Sequence, residues 1–475
     1  MNGLQMTRMR ILVAIANHGT KNQNYLVRLL ESYRGMSYDV DLVVLSDRPK
    51  ELGDDVEVRV GAPTSDPWSL PFAHRPLFAE RIDDYDLFIY TEDDTLVLEQ
   101  HIDAFLAANA LLPEDQIPGF QRFELSQSGE RSISSIHSTY RWVPDTVAIH
   151  DGEVFAAHTN LHAAFYILTQ DQLRQAIASG GFLVEPHADL FDMLVSAAID
   201  PYAQCGLERR LCVSRIEDFL VHHLPSVYVG EYGASSEEFD AQVDAILKLA
   251  VGELSREQLL EPRSKLPTHV WDVIQYPAPD PVLLELASGR GGRVLSVGAT
   301  SGAAELAAFP KAVRIDAIPV DAIIGSVAAM RGLNVLKPTL DEIERRLAEE
   351  RYDIFLLHHN LQHVPHPASL LERLRAIAAP EAVVLVGMQN ASNHQLRALI
   401  RRRHAPAIPH RGFDVDGIHR PGLGLLRRLE RQRVIRWRDV RVTRSDRLAR
   451  IPGWLPTRVE AVFGREVYAI GEFPT

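Results

Sequence analysis

The stretch Arg293-Val-Leu-Ser-Val-Gly-Ala-Thr-Ser-Gly302 predicts a strand that runs straight into a glycine-containing turn, with an alanine-rich helix after it. A short strand that ends in an acid, Val313–Asp316, comes next. Two further apolar runs, 352–357 and 382–386, predict buried strands, and residues 367–378 predict the helix between them. Strands that alternate with helices and carry few charges predict an open parallel sheet. The second half of the chain is therefore expected to be an α/β domain.

The first half of the chain repeats this pattern with different residues at the strand ends. Its first apolar run, Arg10–Ala16, is followed by a polar loop, and a second run, Asp41–Leu45, ends in Ser46-Asp47. A third run, Tyr85–Tyr90, ends in Thr91-Glu-Asp-Asp94. Ligands of open parallel sheets bind at the carboxyl ends of the strands, where these polar residues lie. We expect a second α/β domain with a ligand site at that edge.

The charge balance changes sign along the chain. Through Lys265 there are 41 acidic and 21 basic residues, and the remainder has 22 and 29, which together give the net charge of -13. A change from -20 to +7 indicates two domains with separate surfaces. Proline-rich sequence at 261–267 and 276–281 marks the linker. The sequence predicts two domains, 9–265 and 280–475.

Composition limits the class of protein. With 475 residues, of which 46% are hydrophobic and 24% charged, the chain is typical of a globular protein. No apolar run is long enough to span a bilayer, and residues 1–10 lack the apolar core of a secretory signal, so we expect a cytoplasmic protein. The two cysteines, Cys205 and Cys212, provide neither a disulfide framework nor a zinc site. The acidic net charge argues against nucleic acid as a partner.

An acidic cluster, Glu92-Asp93-Asp94, follows the apolar run at 85–90. Carboxylates crowded at one point repel each other unless a cation or hydrogen-bond donors relieve the repulsion. Mg²⁺ and Mn²⁺ prefer oxygen ligands and share them with the phosphates of a substrate. The alternative is that the three acids only cap a solvated loop. We favour a divalent cation that binds together with a nucleoside diphosphate.

This segment resembles the DXD motif of GT-A glycosyltransferases, and the resemblance covers roughly the first half of the chain. It implies that Glu92 and Asp94 bind Mn²⁺ or Mg²⁺ and that Asp93 contacts a nucleotide-sugar donor. It also implies donor contacts from the first strand, the end of the second strand and a basic residue before the motif, which are Ala14, Ala16, Asn17, Asp47 and Arg75. A late histidine completes the metal shell in this family, which indicates His222 or His223. The first acid is Glu here, not Asp, which leaves open which two carboxylates bind the metal.

A transferase that inverts the configuration of the sugar also needs a carboxylate base for the acceptor hydroxyl. A helix that begins near Pro186 would place Asp189 and Asp192 on one face, and either could be this base. The alternative is that both acids only interact favourably with the positive end of the helix. A retaining mechanism would not need such a base. The acceptor that the resemblance implies is a glycan or a glycolipid.

The glycine turn resembles the first motif of class I methyltransferases, which use S-adenosylmethionine (SAM). Gly298 and Gly302 match the glycines that let the backbone approach the cofactor, and Asp316 matches the acid that holds its ribose. Ser296 stands where the family has an acid, and Thr300 replaces the central glycine. The resemblance implies a Rossmann-like sheet that binds SAM at these positions.

The leading hypothesis is a bifunctional enzyme of polysaccharide or glycolipid biosynthesis. It would transfer a sugar from a nucleotide-sugar donor and methylate a sugar or a related group. The alternative is a glycosyltransferase with a non-catalytic, methyltransferase-like docking domain, which Ser296 and Thr300 favour.

Two further features have simple interpretations. The histidines that follow the 352–357 strand have no acidic partners in the sequence around them, so we expect solvated loop residues at 358, 359, 363 and 366. The arginine-rich stretch at 397–450 could contact anionic lipid headgroups at the inner face of a membrane or a lipid-diphosphate carrier. The alternative, which we favour, is an ordinary solvated helix face.

Overall fold

The computed structural model describes residues 8–133, 139–188, 191–230, 233–266, 268–346, 350–394, 410–443 and 464–474. The chain forms two compact units, Met1–Phe239 and Asp240–Thr475. This division lies before the proline-rich sequence that we expected to mark it. Among the described helices, none is both long and apolar enough to cross a membrane.

The first unit contains fourteen described strands and begins a sixth helix, which continues into the second unit. In chain order these elements are β1 Arg10–Asn17, α1 Gln23–Arg34, β2 Asp39–Ser46, β3 Val56–Val60, α2 His74–Glu80, β4 Leu87–Glu92, β5 Thr95–Leu96, α3 Glu99–Asn109, β6 Gln116–Pro118, β7 Gln121–Leu125, β8 Arg131–Ile133, β9 Trp142–His150, β10 Glu153–His158, β11 Phe165–Thr169, α4 Gln170–Ala178, α5 Met193–Ala203, β12 Glu208–Cys212, β13 Leu220–His223, β14 Ala234–Ser235 and α6 Ser236–Ala250.

The main sheet of the first unit has the strand order β11-β4-β1-β2-β3. Strands β1 to β4 are parallel to their neighbours, and β11 is antiparallel to β4. The apolar residues of β1, Ile11–Ile15, are fully buried, which is why this strand lies at the centre of the sheet. Strand order reverses at β1, because β2 lies on one side of it and β4 on the other. Such a reversal opens a crevice at the carboxyl ends of the strands, where ligands bind.

Two smaller sheets complete the first unit, with the orders β6-β12-β10-β9 and β14-β8-β7-β13-β5. The second of them positions the candidate site. Strand β5 follows the acidic cluster directly, and β13 pairs with it so that His223 lies opposite Thr95. This pairing brings a residue late in the sequence beside the carboxyl end of β4.

The second unit contains a single seven-stranded sheet among the described residues. In chain order its elements are α7 Pro281–Ala287, β15 Gly292–Ala299, α8 Ala303–Ala308, β16 Ala312–Pro319, α9 Ala322–Met330, β17 Asn334–Val335, α10 Asp341–Arg346, β18 Tyr352–His358, α11 Pro367–Ala376, β19 Ala378–Gln389, α12 Phe413–Asp416, α13 Leu423–Arg431, β20 Arg436–Val442 and β21 Glu466–Glu472.

This sheet has the order β17-β16-β15-β18-β19-β21-β20, and its strands are parallel from β17 to β19. Strand β21 is antiparallel to both of its neighbours. The order reverses between β15 and β18, as in a doubly wound Rossmann-like sheet. The expectation of an α/β domain in this half of the chain is confirmed.

The carboxyl edge of this sheet is partly covered by residues that precede α7. The Leu259 amide donates to the Val320 carbonyl just after β16, and the Ser301 amide of the glycine turn donates to the Gln275 carbonyl. At the end of β19, the side chain of Gln389 donates to the Val270 carbonyl. The polar residues at this edge are consequently buried rather than solvated.

Candidate functional site

Asparagine side chains hold the acidic cluster of the first unit. Asn17, at the end of β1, donates to Asp93 Oδ2 at 2.5 Å, and Asn22 donates to Asp93 Oδ1 at 2.7 Å and to Asp94 Oδ2 at 3.2 Å. Asp93 is only 7% exposed, and burial raises the pKa of its carboxyl to about 6. The structure therefore brings the predicted residues Asn17, Asp93 and Asp94 together at the reversal of strand order.

His223 joins this cluster from β13. Its Nε2 lies 3.6 Å from Asp94 Oδ2, and its Nδ1 lies 2.6 Å from Glu124 Oε1. Burial lowers the pKa of His223, but the hydrogen bonds with Asp94 and Glu124 outweigh it, so the pKa is raised overall. The two carboxylates therefore favour the cationic form of this imidazole.

His222 faces the other side of β13. Its ring stacks on Phe123 with the ring centroids 5.0 Å apart, and burial lowers its pKa. Adjacent residues of a strand point to opposite faces, so only one of the two histidines reaches the acids. The prediction that His222 binds a metal with Asp94 does not agree with this geometry.

Glu92 also differs from expectation. Its carboxyl is buried, Oε1 has no hydrogen-bond partner among the described residues, and burial and repulsion by Asp94 raise its pKa well above the usual range. Among the described residues, no group of three or more His, Cys, Asp or Glu side chains has the arrangement of a metal site. The four predicted ligands Glu92, Asp94, His222 and His223 are thus not assembled into one shell.

The other residues of the first unit that were predicted to contact the nucleotide-sugar donor lie in different parts of the sheet. Ala14 is fully buried and pairs with Val43 and Tyr90 inside the sheet, whereas Ala16 and Asn17 lie at the strand end. Asp47 accepts a hydrogen bond from the Gly19 amide at 2.8 Å, and its contact with Arg48 lowers its pKa to about 2. Asp47 therefore fixes the loop after β1, and its contact with a nucleotide base stays a prediction.

Arg75 is buried and cannot contact a nucleotide-sugar donor. Its side chain is 1% exposed, and its guanidinium lies 2.6 Å from the carboxylate of Asp200, which is 2% exposed. The same guanidinium packs over the ring of Phe72 and donates to the Phe182 carbonyl. The prediction that Arg75 approaches the donor is therefore wrong for this structure, because a buried carboxylate already neutralises it.

Asp192, one of the two proposed catalytic acids, lies just before a helix and not within it. Helix α5 begins at Met193, and Asp192 is its N-cap, with Oδ1 accepting the Val195 amide at 2.9 Å. This helix does not begin near Pro186, as was expected, and the capping alternative describes Asp192. Asp189 lies outside the described residues. Asp192 nevertheless lies near enough to Glu92 to raise its pKa.

In the second unit, β15 ends in the predicted glycine turn. Gly298 and Gly302 have φ of +74° and +83°, a region that favours glycine. A Cβ at Gly298 would lie 2.5 Å from the side-chain nitrogen of Asn360, which donates to the carbonyls of Val297 and Gly298. The missing side chain of Gly298 therefore makes room for Asn360.

Ser296 contacts a carboxylate that sequence analysis missed. Its hydroxyl donates to Glu305 Oε1 at 2.9 Å, and Glu305 is 2% exposed. Burial raises the pKa of Glu305, and Oε2 has no hydrogen-bond partner among the described residues. Helix α8 thus supplies an acid beside the position where the methyltransferase motif carries one in the strand.

Asp316 does not lie at a strand end. Strand β16 continues to Pro319, and Asp316 pairs with Leu295, in the middle of β15. Its carboxylate accepts hydrogen bonds from Arg314, Asn334 and Tyr352, each at 2.6 Å. Although burial raises its pKa, these hydrogen bonds lower it overall. The prediction that Asp316 holds a ribose is wrong for this structure, because Ala317–Pro319 extend the strand beyond it.

The histidines after β18 are buried rather than solvated, contrary to expectation. His358, His359 and His363 are at most 4% exposed, and burial lowers the pKa of each. His359 has φ of +59°, which is uncommon for a residue other than glycine. His366 is exposed at the start of α11. The edge near β15 and β18 is therefore lined by neutral imidazoles and the Asn360 amide.

Residues 273–420 match the family model of a methyltransferase domain. This match covers the glycine turn, β16, β18 and β19. No curated protein matches the chain. The second unit therefore carries a methyltransferase domain with a Rossmann-like sheet.

Three solved methyltransferases illustrate the proteins to which part of this chain is similar in structure. A candidate methyltransferase from Bacillus halodurans C-125 shares 17% identity, covers 41% of this chain and 98% of its own, and has a TM-score of 0.29. The N-methyltransferase NodS from Bradyrhizobium japonicum WM9, in complex with S-adenosyl-L-homocysteine (SAH), shares 15% identity over 41% and 84%, with a TM-score of 0.26. A SAM dependent methyltransferase from Archaeoglobus fulgidus shares 17% over 38% and 85%, with a TM-score of 0.27.

Proposed function

We propose that the second unit is a SAM-dependent methyltransferase. The observation that carries this proposal is the match of residues 273–420 to a methyltransferase domain. The matched residues build the reversal of strand order at β15 and β18 and the glycine turn beside it. In a sheet of this kind, that crevice is where a nucleotide-like ligand binds.

The residues at the turn fit the aminoacyl end of SAM. Gly298 and Gly302 add no side chain to the turn, although Asn360 fills the space beside Gly298, and the buried Glu305 has one oxygen without a partner among the described residues. An ammonium group is the natural partner of such an oxygen, because a buried unpaired carboxylate is costly. Bound SAM would supply an electrophilic methyl group on a sulfonium cation. The neutral imidazoles of His358 and His359 would not repel this cation.

The ribose end fits less well. Pro319 occupies the end of β16, and Asp321, the next acid, already accepts the Ile323 and Ile324 amides as the N-cap of α9. The adenosine must then be held mainly by backbone groups and by the aminoacyl contacts. We expect binding that is weaker than with a full set of contacts, but measurable.

Calorimetry of the full chain with SAH tests this function. Binding in the micromolar range would support it, because SAH carries the ammonium group that Glu305 would receive. An absence of heat at millimolar SAH would contradict it and would favour the alternative, a non-catalytic docking domain. Thermal shift with the same ligand is an independent readout, since a ligand that binds only the folded state raises the melting temperature.

A second candidate function belongs to the first unit, where we propose transfer of a sugar from a nucleotide-sugar donor. It is favoured by the convergence of Asn17, Asp93, Asp94 and His223 at the reversal of strand order. Mg²⁺ is commonly bound by only one or two carboxylates plus the phosphates of its substrate. Asp93 and Asp94 therefore suffice as protein ligands, although the described residues contain no preformed metal group.

Together the two proposals describe a bifunctional transferase of polysaccharide or glycolipid biosynthesis, acting in the cytoplasm or at the inner face of the membrane. The test of the second candidate is thermal shift of the full chain with uridine, guanosine or thymidine diphosphate. Stabilisation that requires Mn²⁺ or Mg²⁺ would support sugar transfer. Equal stabilisation with and without a chelator would contradict the role of the cation.

A further inference from the structure

A basic cavity lies at the carboxyl end of β19, beside helix α13. Its volume is about 670 Å³. The polar side chains that line it are Asn390, Ser392, His419, Arg420, Arg427, Arg428 and Arg431. None of its described lining residues is acidic, and its arginines give it positive charge.

Helix α13 presents this charge because of its residue pattern. Leu425, Leu426 and Leu429 are buried against the sheet. Arg427, Arg428 and Arg431 recur at helical spacing and therefore share the cavity side. Two of them, Arg427 and Arg431, are exposed and lie four residues apart, where like charges destabilise a helix. The leucines supply the packing of this helix, and Arg428 and Arg431 in its last turn interact favourably with the helix dipole.

The three arginines of α13 have no acidic partner in the part of the chain that the structure describes. Among the described residues, none of them forms an ion pair, and the only hydrogen bond of their side chains runs from Arg431 to the Arg427 carbonyl at 3.4 Å. Other arginines of the same unit are paired, such as Arg441 with Glu285 at 2.7 Å. Three arginines without an ion pair to a described residue thus line one cavity together, where an anion would be their partner.

The beginning of α13 contributes further donors. Gly422 precedes the helix with φ of +123°, and no side chain caps it. The amides of Leu423 and Gly424 donate to no described acceptor, and a Cβ at Gly424 would meet no atom within 4 Å. Both residues line the cavity. Free amides at a helix start bind anions, and phosphate is the ligand that such amides and arginines most often share.

We propose that this cavity binds a phosphate or diphosphate group carried by the methyl acceptor. Guanidinium groups match the geometry of phosphate oxygens, and the size of the cavity admits a group larger than an isolated phosphate. The cavity lies at the same edge of the sheet as the glycine turn, two strands away from β15. That the anion belongs to the methyl acceptor rests on the proposed methyltransferase function, whereas the anion site itself does not.

Calorimetry of the full chain with pyrophosphate tests the site. A chelator is present throughout, so that a cation-dependent nucleotide site in the first unit does not contribute. The variant Arg427→Gln/Arg431→Gln removes two exposed side chains and leaves the leucine face of α13 intact. Arg375→Gln is the matched control, because Arg375 is exposed on α11 and forms no ion pair with a described residue.

We expect pyrophosphate to bind the wild type and the Arg375→Gln control alike, and to bind the double variant at least tenfold more weakly. Vesicles of phosphatidylglycerol and of phosphatidylcholine identify the source of the phosphate. If the wild type binds phosphatidylglycerol vesicles but not phosphatidylcholine vesicles, and the double variant binds neither, the acceptor is linked to a lipid. If the wild type binds pyrophosphate but neither kind of vesicle, the acceptor is soluble. Equal affinities of wild type and double variant, or no binding in either assay, would overturn the proposal.

SAH binding, measured on the same samples, separates this inference from the proposed function. Unchanged SAH affinity in the double variant would agree with an acceptor site distinct from the cofactor site. Pyrophosphate binding without SAH binding in the wild type would leave the anion site standing and would refute its role in recognising a methyl acceptor.

Discussion

The two main sheets reverse their strand order at the first strand of each unit, yet they place acids differently there. In the first unit, Asp93 follows the last residue of β4 and meets Asn17 from β1. In the second unit, Asp316 lies three residues before the end of β16, inside a network with Arg314. The comparison shows that the acid after an apolar run lies at the edge of the sheet only where the strand ends before it.

The first sheet therefore has acids at its edge, and the second has mainly amides, imidazoles and a buried glutamate from a helix. In the first unit, negative charge would attract a cation together with phosphates. In the second unit, the buried carboxylate beside Ser296, Glu305, would meet an ammonium group. The predictions below are ways to test whether each acid has the role that its position indicates.

The largest effect is expected for Arg75→Met in the first unit. Removing this guanidinium leaves the buried Asp200 with only His187 and Gln204 as side-chain partners, which should lower the free energy of unfolding by about 3–5 kcal/mol. Urea denaturation measures the loss. The control is Arg174→Met, whose exposed pair with Asp83 should contribute less than about 1 kcal/mol. A stable Arg75→Met protein that loses nucleotide affinity would instead support a contact between Arg75 and the donor.

Next in size is the effect of Asp94→Asn on nucleotide binding. Loss of this carboxylate should remove the cation-dependent part of nucleoside diphosphate affinity, a weakening of about 100-fold for a charged contact worth roughly 2–3 kcal/mol. Titration with and without Mn²⁺ measures it. Asp54→Asn removes the same charge from an exposed loop of the first unit and should leave the affinity unchanged. An Asp94→Asn protein that still requires the cation would disprove a role for Asp94.

Glu305→Gln should weaken SAH binding by about tenfold, since a hydrogen bond to a charged group is lost. Binding of 5′-methylthioadenosine, which lacks the ammonium and carboxylate groups, should stay the same. Adding Ser296→Asp to the Glu305→Gln variant should restore part of the SAH affinity, because it returns an acid to the strand. If both ligands lose affinity equally, Glu305 acts on the fold and not on the ammonium group.

The same variant should change the pH dependence of stability. The pKa of Glu305 is raised in the folded state, so the unfolded chain loses this proton first as the pH rises. The wild type is therefore destabilised above the ordinary glutamate pKa of about 4.5, and Glu305→Gln is not. We expect the variant to melt a few degrees higher at pH 7 and the difference to disappear towards pH 4. Melting curves at several pH values measure this difference. If the melting temperatures of wild type and variant differ by the same amount at every pH, the pKa of Glu305 is not raised by burial.

The smallest effect on ligand binding is expected for Asp316→Asn. This carboxylate lies inside β16 and is occupied by three donors, so SAH affinity should change by less than about twofold. Thermal stability should fall, because the charge-assisted hydrogen bond with Arg314 is lost. A tenfold loss of SAH affinity in the folded variant would restore the ribose-binding role.

Sequence patterns were sufficient to predict the strands and turns that are determined by neighbouring residues in the chain. The apolar runs at 10–16, 85–90 and 352–357 predicted buried strands because unbroken apolar segments between polar turns have few other solutions. The glycines at 298 and 302 predicted a tight turn for the same local reason. The acidic cluster and Asn17 could be placed together because the carboxyl ends of parallel strands share one edge.

Features that depend on tertiary pairing could not be predicted. Glu124 lies on β7 and meets His223 only because β7 pairs with β13. Glu305 meets Ser296 only because α8 folds back on β15. The start of α5 was misplaced because Asp192, not the Pro186 region, provides the cap. In each case the sequence offers a single acid, and no local pattern indicates which residue that acid will contact.

The contact between Gly298 and Asn360 implies a rule for how such chains can diverge. Any side chain at 298 would collide with the amide of residue 360, and loss of that amide would leave the carbonyls of Val297 and Gly298 without their donor. A substitution at one position is therefore tolerated only after a change at the other. Among descendants of this sequence, positions 298 and 360 should mutate as a pair, and that coupling would be visible as correlated substitution.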